Sequence, residues 1–460
     1  MEHLTPLKIA GVTGGKYIGT DESKNAVIRG AVRDNRDVTP GSLFICIRGA
    51  RVDGHSFANN AYDSGASCCL AEQHIPDAKG PYVLVDSTLA ALKQIAAYYR
   101  SLFDIPVIGI TGSVGKTTAK ELVAAVLSAK YDVLKTQMNL NNEIGVPLTL
   151  LALEEKHGAA VIEMGIRDFG DLSILAEMVR PDIFIITKIG YSHLLELVDL
   201  NGVLRAKTEA FAYMKPDGIA ILNGDDDLLK DYDPGMRKIT FGQNEYNDFR
   251  SSDVRTEGTE SVKFDIMTGN SKLPVSLAAY GSHLPVLAPA AAAAGKLLGL
   301  SDEEISRGFT SFSTVDGRAN VIRTDKLTLI DDCYNANPNS VKEALISLSA
   351  LPGRRVAILG DMINLGEFSE QLHREIGMFA AQCGIDSLVC HGEKALYIHE
   401  GYKEAGGTSV RYYPNRQELM TDFAGLIKKG DAVLVKASRG MHFEELLPVI
   451  LGGSPGHNLN

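Results

Sequence analysis

Short apolar runs separated by polar turns organise this chain, and their spacing changes along it. Leu43-Phe44-Ile45-Cys46-Ile47 is an unbroken apolar run behind Thr39-Pro40-Gly41, which predicts a buried strand entered through a turn. Residues 57–66 predict a short helix ending near Gly65. From about residue 85 the pattern becomes strand, helix, strand: strands are predicted over 105–110, 159–164, 183–186 and 219–222. Helices are predicted over 89–103, 116–130, 172–178 and 203–214. Residues 236–280 read as an antiparallel β extension, and one helical stretch over 288–312 closes the region. A third unit begins near Val315, with strands over 327–330, 356–359, 387–390 and 432–435 and helices over 341–348, 371–381, 416–428 and 443–451. Residues 452–460 read as a loose tail.

Strands alternating with helices predict mostly parallel sheets covered on both faces. The fold class expected is therefore α/β in three domains: a small α/β unit over 1–84, a central sheet carrying a phosphate loop over 85–314, and a Rossmann-like sheet over 315–460. The third unit lacks a G-x-G-x-x-G turn after its first strand, which counts against a nicotinamide or flavin enzyme.

Composition narrows the function classes. A net charge of -11 argues against nonspecific nucleic-acid binding, and any polyanionic ligand must be met by local cations, metal or backbone N–H groups. The six cysteines form no C-x-x-C pair, so a zinc site is not expected, and their scatter reads as a reducing, cytoplasmic compartment. No basic start followed by an apolar core is visible at the N-terminus, and no apolar run approaches the ~18 residues of a membrane span, so neither a signal peptide nor membrane insertion is expected.

The strongest chemical signal is Thr111-Gly112-Ser113-Val114-Gly115-Lys116-Thr117-Thr118, between a predicted buried strand and a helix. In that context backbone N–H groups and the helix N-terminus cradle phosphate, Lys116 reaches the β- and γ-phosphates, and the Thr117 hydroxyl serves Mg²⁺. A full Walker pattern would have glycine at 110, where Ile110 stands. Glu163 ends the next strand, at the edge where open α/β sheets bind ligands, and is a candidate Mg²⁺ ligand. His193 follows a third strand at the same edge and is a candidate metal ligand or an ordinary turn residue. Lys207 lies on a predicted helix, where lysines are generally solvated, and pattern alone does not single it out. In the third unit Asn335 and Asn337 can recognise an adenine edge or cap the helix that Pro338 opens. Asp361, just past a strand, suits a ribose hydroxyl, and Lys436, Ser438 and Arg439 read as an anion-binding edge or a solvated loop.

In this order these pieces resemble the Mur ligase family over essentially the whole chain. The stretches that carry the resemblance are 34–44 (DNRDVTPGSLF), 111–118 (TGSVGKTT), 139–151 (NLNNEIGVPLTLL), 161–165 (VIEMG), 332–340 (DCYNANPNS), 360–366 (GDMINLG) and 434–441 (LVKASRGM). The segments NLNNEIGVP and YNANP are the most specific. They point within the family to the member that joins D-alanyl-D-alanine to UDP-N-acetylmuramoyl-tripeptide through an acyl phosphate, using ATP and Mg²⁺. The family's glycine turn is shorter than the full Walker pattern, so Ile110 fits it.

By resemblance, Lys116 contacts the γ-phosphate, Thr117 and Glu163 serve Mg²⁺, His193 meets a second metal, and Lys207 carries a carbamate. Asn142 falls in the nucleotide or metal region, and Arg318, in Asp316-Gly317-Arg318, reaches the nucleotide from the third domain. Asn335, Asn337 and Asp361 fall on the adenosine side, and Asn35 and Arg36 on the UDP-sugar side. Asn35, Tyr191 and Leu287 depart from the residues usual at their positions, serine, proline and asparagine. A monomer without nucleic-acid partners is expected. Two other readings are another carboxylate–amine ligase of the superfamily and a nucleotide-dependent regulator without ligase chemistry.

Overall fold

Three sheets form in chain order in the computed structural model, which describes residues 1, 3–49, 52–315 and 317–452. Asp316, and the expected tail from 453 onward, lie outside the described residues. The first sheet runs in the spatial order Lys16–Ile18, Tyr82–Leu84, Cys68–Ala71, Ser42–Ile45, Gly30–Val32. Its first pair is antiparallel and the others parallel. The apolar run at 43–47 forms its core strand Ser42–Ile45, buried along its length. The helix expected over 57–66 enters through a 3-10 turn, Gly54–Phe57, before Ala58–Asp63.

The central sheet has nine strands. Val107–Thr111 sits between Ala159–Glu163 and Ile183–Ile186, all parallel and all buried. Continuous apolar sequence is what a parallel strand covered on both faces requires. The β-rich stretch after 236 contains the expected antiparallel extension: Phe249–Glu257, Ser261–Thr268 and Ser271–Leu277 pair antiparallel in sequence. The last of these buries Leu273, Val275 and Leu277 on one face and exposes the residues between them. The single helical stretch expected over 288–312 is two helices, Leu284–Leu297 and Asp302–Thr310. Gly299, at φ +72, turns the chain between them, and Ser301 and Glu304 form a reciprocal cap that starts the second.

The third sheet runs Asn320–Arg323, Thr328–Asp331, Ala432–Lys436, Arg355–Gly360, Ser387–His391, Val410–Tyr413, parallel but for its first pair. Its four inner strands match expectation. Its two edge strands were not expected, because edge strands are half-exposed and carry a weaker apolar run. The helix expected over 443–451 is a 3-10 segment, Phe443–Leu446, followed by one turn, Leu447–Ile450. No helix among the described residues is long and apolar enough to cross a membrane.

Parallel register places the chemistry. Ile110 pairs with Glu163 and Thr111 with Ile186, so the loops after all three central strands leave from one edge. The loops after Thr328–Asp331 and Ala432–Lys436, whose ends pair Asp331 with Val435, meet that edge from the third sheet.

Candidate active site

The phosphate loop is held open from beneath. Gly112 adopts φ +151, and a Cβ there would collide with the Thr187 hydroxyl, so only glycine fits. Gly115, at φ +80, turns the loop into helix Lys116–Leu127, whose N-terminus has no side-chain cap. Uncapped N–H groups at a helix start are an anion site. The Ser113 hydroxyl donates to the Gly190 carbonyl (2.9 Å) and accepts from the Gly190 N–H (3.0 Å), pinning this loop to the one carrying His193. Lys116 donates to the Gly112 carbonyl (2.6 Å), curled over its own loop. Burial lowers the proton affinity of its amine; nearby Glu163 opposes this and Arg318 adds to it.

Glu163 is 1% exposed at its strand end. One carboxylate oxygen accepts from the Asn141 side chain (2.8 Å); the other is buried with no hydrogen-bond partner. Its backbone N–H donates to the Thr136 hydroxyl (2.9 Å), and the Thr136 carbonyl accepts from buried Lys120 (2.7 Å). Lys120 and Thr136 thus fix the backbone under the acid, and Asn141 aims its side chain. The family resemblance puts the neighbouring Asn142 in the nucleotide or metal region. Asn142 lines the same cavity, but its side chain accepts from the N–H groups of Ile144 and Gly145 at the start of helix Gly145–Leu150. The only sequence signal for Asn141 was the asparagine-rich run itself.

His193 sits at φ +54 with Nδ1 buried and unpartnered. Burial, then the charges of Lys207, Lys116 and Arg167, pushes its pKa down to about 4. Lys207, on helix Leu200–Thr208, is 2% exposed, and no hydrogen bond or ion pair to it is found among the described residues. Burial, reinforced by Lys116, holds its amine well below the ordinary lysine range. An unpaired buried ammonium is costly, so a neutral or modified amine is favoured.

These groups line two adjoining cavities. The first, of about 610 Å³, takes in the phosphate loop, Asn141, Asn142, Glu163, Arg318, Asn335 and Lys436. The second, of about 330 Å³, takes in Gly112, Lys116, His193, Lys207, Ser438 and Arg439. Ser113, Lys116, Arg167, His193, Asn335 and Asn337 line both. Lys436 is buried, ion-paired to Asp332 (2.5 Å) and bonded to the Asn335 carbonyl (2.9 Å). Buried Ser438 accepts from the Ile363 N–H (2.9 Å) and donates to the Ala336 carbonyl (3.3 Å). Arg439 is exposed and pairs with Glu444 (3.2 Å). Arg318 stacks on Tyr334 at 3.9 Å, a flat cationic face that pattern reading did not foresee.

Asn337 does two jobs. It caps helix Pro338–Ser349 through the Ser340 N–H (2.9 Å) and donates its amide to the Ser113 carbonyl (3.2 Å), joining third sheet to phosphate loop. Asp361 accepts from the Ala395 N–H (2.7 Å) and lines neither of the two cavities. Asn35 and Arg36 lie in a 3-10 turn, Asn35–Asp37, next to the first sheet and line neither cavity, and Arg36 pairs with Asp34 (2.5 Å).

The residues present fit a magnesium ion. No cluster of three or more His, Cys, Asp or Glu side chains able to hold a metal occurs among the described residues. A magnesium ion shared with phosphates needs only one or two protein carboxylates, and the unpartnered oxygen of Glu163, with Thr117 in the same cavity, meets that need.

Comparison with known proteins agrees with this geometry. Residues 110–295 match the Mur ligase middle domain, 317–439 the Mur ligase glutamate ligase domain, and 27–100 the Mur ligase family catalytic domain. The UDP-N-acetylmuramoyl-tripeptide--D-alanyl-D-alanine ligase of Bacillus subtilis (strain 168) is 36% identical over 436 residues, 94% of each chain. The structure of the UDP-N-acetylmuramoylalanyl-D-glutamyl-2,6-diaminopimelate--D-alanyl-D-alanyl ligase from Acinetobacter baumannii superposes with a TM-score of 0.82 at 30% identity, covering 97% of this chain and 98% of that one. MurF ligase from Thermotoga maritima, in complex with ADP, superposes with a TM-score of 0.81 at 28% identity, covering 93% and 97%. A phosphate loop, a strand-end acid and an isolated buried lysine, carried on three sheets matched along nearly their whole length, place the chain in the Mur ligase family.

Proposed function

We propose that this chain is an ATP-dependent ligase that joins D-alanyl-D-alanine to UDP-N-acetylmuramoyl-tripeptide, giving the pentapeptide precursor of peptidoglycan. The observation that carries the reading is the junction of the two cavities at Lys116, with the half-free Glu163 carboxylate on the first. Such a junction lets a nucleotide on one side meet a peptide on the other. The tripeptide carboxylate attacks the γ-phosphoryl of ATP, forming an acyl phosphate and releasing ADP. The dipeptide amine then attacks the acyl carbon, and the tetrahedral intermediate collapses to amide and phosphate. Lys116 and the N–H groups of the helix start stabilise charge on the transferred group. Enclosure between the two sheet edges limits hydrolysis of the acyl phosphate. Magnesium, when bound, neutralises phosphate charge; Glu163 and Thr117 would hold it, with His193 and Lys207 completing its surroundings.

The same reading assigns the UDP-sugar to residues 1–84, around Asn35 and Arg36, ATP to 85–314, and the closing face to 315–460. It also assigns a carbamate to Lys207: a neutral, buried amine is a nucleophile toward carbon dioxide, and the product carries the negative charge that its cationic surroundings favour. The setting is the cytoplasm, where ATP is available, and the working unit a monomer.

The test is phosphate release with ATP, magnesium and UDP-N-acetylmuramoyl-tripeptide, with and without D-alanyl-D-alanine. Release that needs both peptide substrates, with a UDP-pentapeptide product by mass, is expected, and Lys116→Ala is expected to lower turnover by about 10³-fold or more. Release indifferent to the dipeptide would overturn the assignment.

A further inference from the structure

One arginine at the cavity junction has no side-chain partner among the described residues. Arg167 follows the strand that ends in Glu163, and it lines both cavities. Its backbone N–H, with that of Asp168, donates to Asp171 (2.8 and 2.9 Å), so the loop beneath it is fixed. Both bonds go to the same carboxylate oxygen of Asp171. The Arg167 guanidinium makes no ion pair, hydrogen bond or ring contact among the described residues, and the residue is exposed.

The other cations of the second cavity are committed differently. Lys116 bonds its own loop, Arg439 pairs with Glu444, and Lys207 is only 2% exposed. In the first cavity, Arg318 lies on Tyr334 and Lys436 on Asp332. Among the described residues Arg167 and Arg318 are thus the guanidiniums of these cavities without an anion, and of the two Arg167 is the exposed one and lacks even a ring contact, on a chain of net charge -11. On the ligase reading the phosphates of ATP fall to the loop N–H groups and Lys116, and the diphosphate of the UDP-sugar to the first domain. The anions left to match are the carboxylates of the peptide substrates, and a planar guanidinium binds a carboxylate through two parallel hydrogen bonds.

We infer that Arg167 binds a carboxylate of the peptide substrates at the opening between the two cavities, and so selects among them. This rests on the ligase reading above. The carboxylate has two possible sources: the second carboxylate of a diaminopimelate third residue, or the C-terminus of the incoming dipeptide.

Steady-state kinetics of the full chain separate them. Wild type, Arg167→Gln and Arg167→Lys are assayed with UDP-tripeptides ending in diaminopimelate or in lysine, and with D-alanyl-D-alanine or its C-terminal amide. Arg167→Gln is expected to raise the KM of one peptide substrate about tenfold or more, with the KM of ATP unmoved and partial recovery in Arg167→Lys. If the third residue is read, the penalty vanishes with the lysine tripeptide; if the dipeptide is read, it vanishes with the amide. Unchanged KM for both peptides, or a rise for ATP alone, would overturn the inference. Wild-type turnover in the same assay tests the ligase reading separately: its absence would sink both, whereas normal wild-type turnover with silent variants would sink only the role of Arg167.

Discussion

At the scale of single residues, the site holds buried polar groups that the chain itself leaves unmatched. Among the described residues Glu163 and His193 each leave one buried polar atom unmatched, and Lys207, 2% exposed, makes no hydrogen bond or ion pair. Folded proteins rarely tolerate such groups without a use. For Lys207 the expected outcome is that Lys207→Ala folds but loses most activity, and that short carboxylic acids restore part of it. A folded variant that no added acid rescues would remove the carbamate assignment. For His193 the sign follows from its depressed pKa. The unfolded chain takes up a proton near the ordinary histidine value of about 6.5, the folded one only near 4. Stability is therefore undiminished by His193 above about pH 6.5, falls as pH drops toward 4, and levels off below it. The ligand-free protein is expected to lose up to about 3 kcal/mol from this group, and His193→Gln to flatten that part of the profile in urea titrations at pH 7 and 4.5. Equal slopes for the two proteins would show that His193 is not the titrating group.

At the scale of elements, helix starts carry the site. Lys116–Leu127 presents uncapped N–H groups to the cavity, while Pro338–Ser349 is capped by a residue that also reaches the phosphate loop. Asn337 can be taken apart by substitution. Asn337→Asp keeps the acceptor for the Ser340 N–H and loses the donor to Ser113; Asn337→Ala loses both. Asn337→Ala is expected to cost about 1–2 kcal/mol in thermal or urea unfolding, as a lost cap does. Asn337→Asp is expected to hold most of that stability yet raise the KM of ATP severalfold. Equal kinetics for Asn337→Asp and wild type would show the bond to Ser113 to be incidental. Most elements were legible in sequence, because buried parallel strands such as Val107–Thr111 and Ile183–Ile186 are continuous apolar runs. The edge strands Asn320–Arg323 and Val410–Tyr413 were not, since a half-exposed strand of four residues leaves no distinct period.

At the scale of the whole molecule, the second and third sheets are stitched along a seam. Asn337 meets Ser113, the Tyr191 N–H meets Asn339 (3.2 Å), the Tyr280 hydroxyl meets the Ser347 carbonyl (2.6 Å), and Lys188 meets Glu343 (3.5 Å). Both cavities lie along it, so the site belongs to neither sheet alone. The sequence by itself determined the α/β class, the order of strands and helices, the phosphate loop and the strand-end acid. These follow from local periodicity and from the glycines that a tight turn before a helix demands. Only the tertiary structure decided that Lys207 is buried rather than solvated, that Asn141 aims Glu163, and that Asp361 lies outside both cavities. It alone also left Arg167 without an ion pair among the described residues. Each of these depends on which side chains meet across residues distant in sequence, and hydrophobic periodicity carries no information about that.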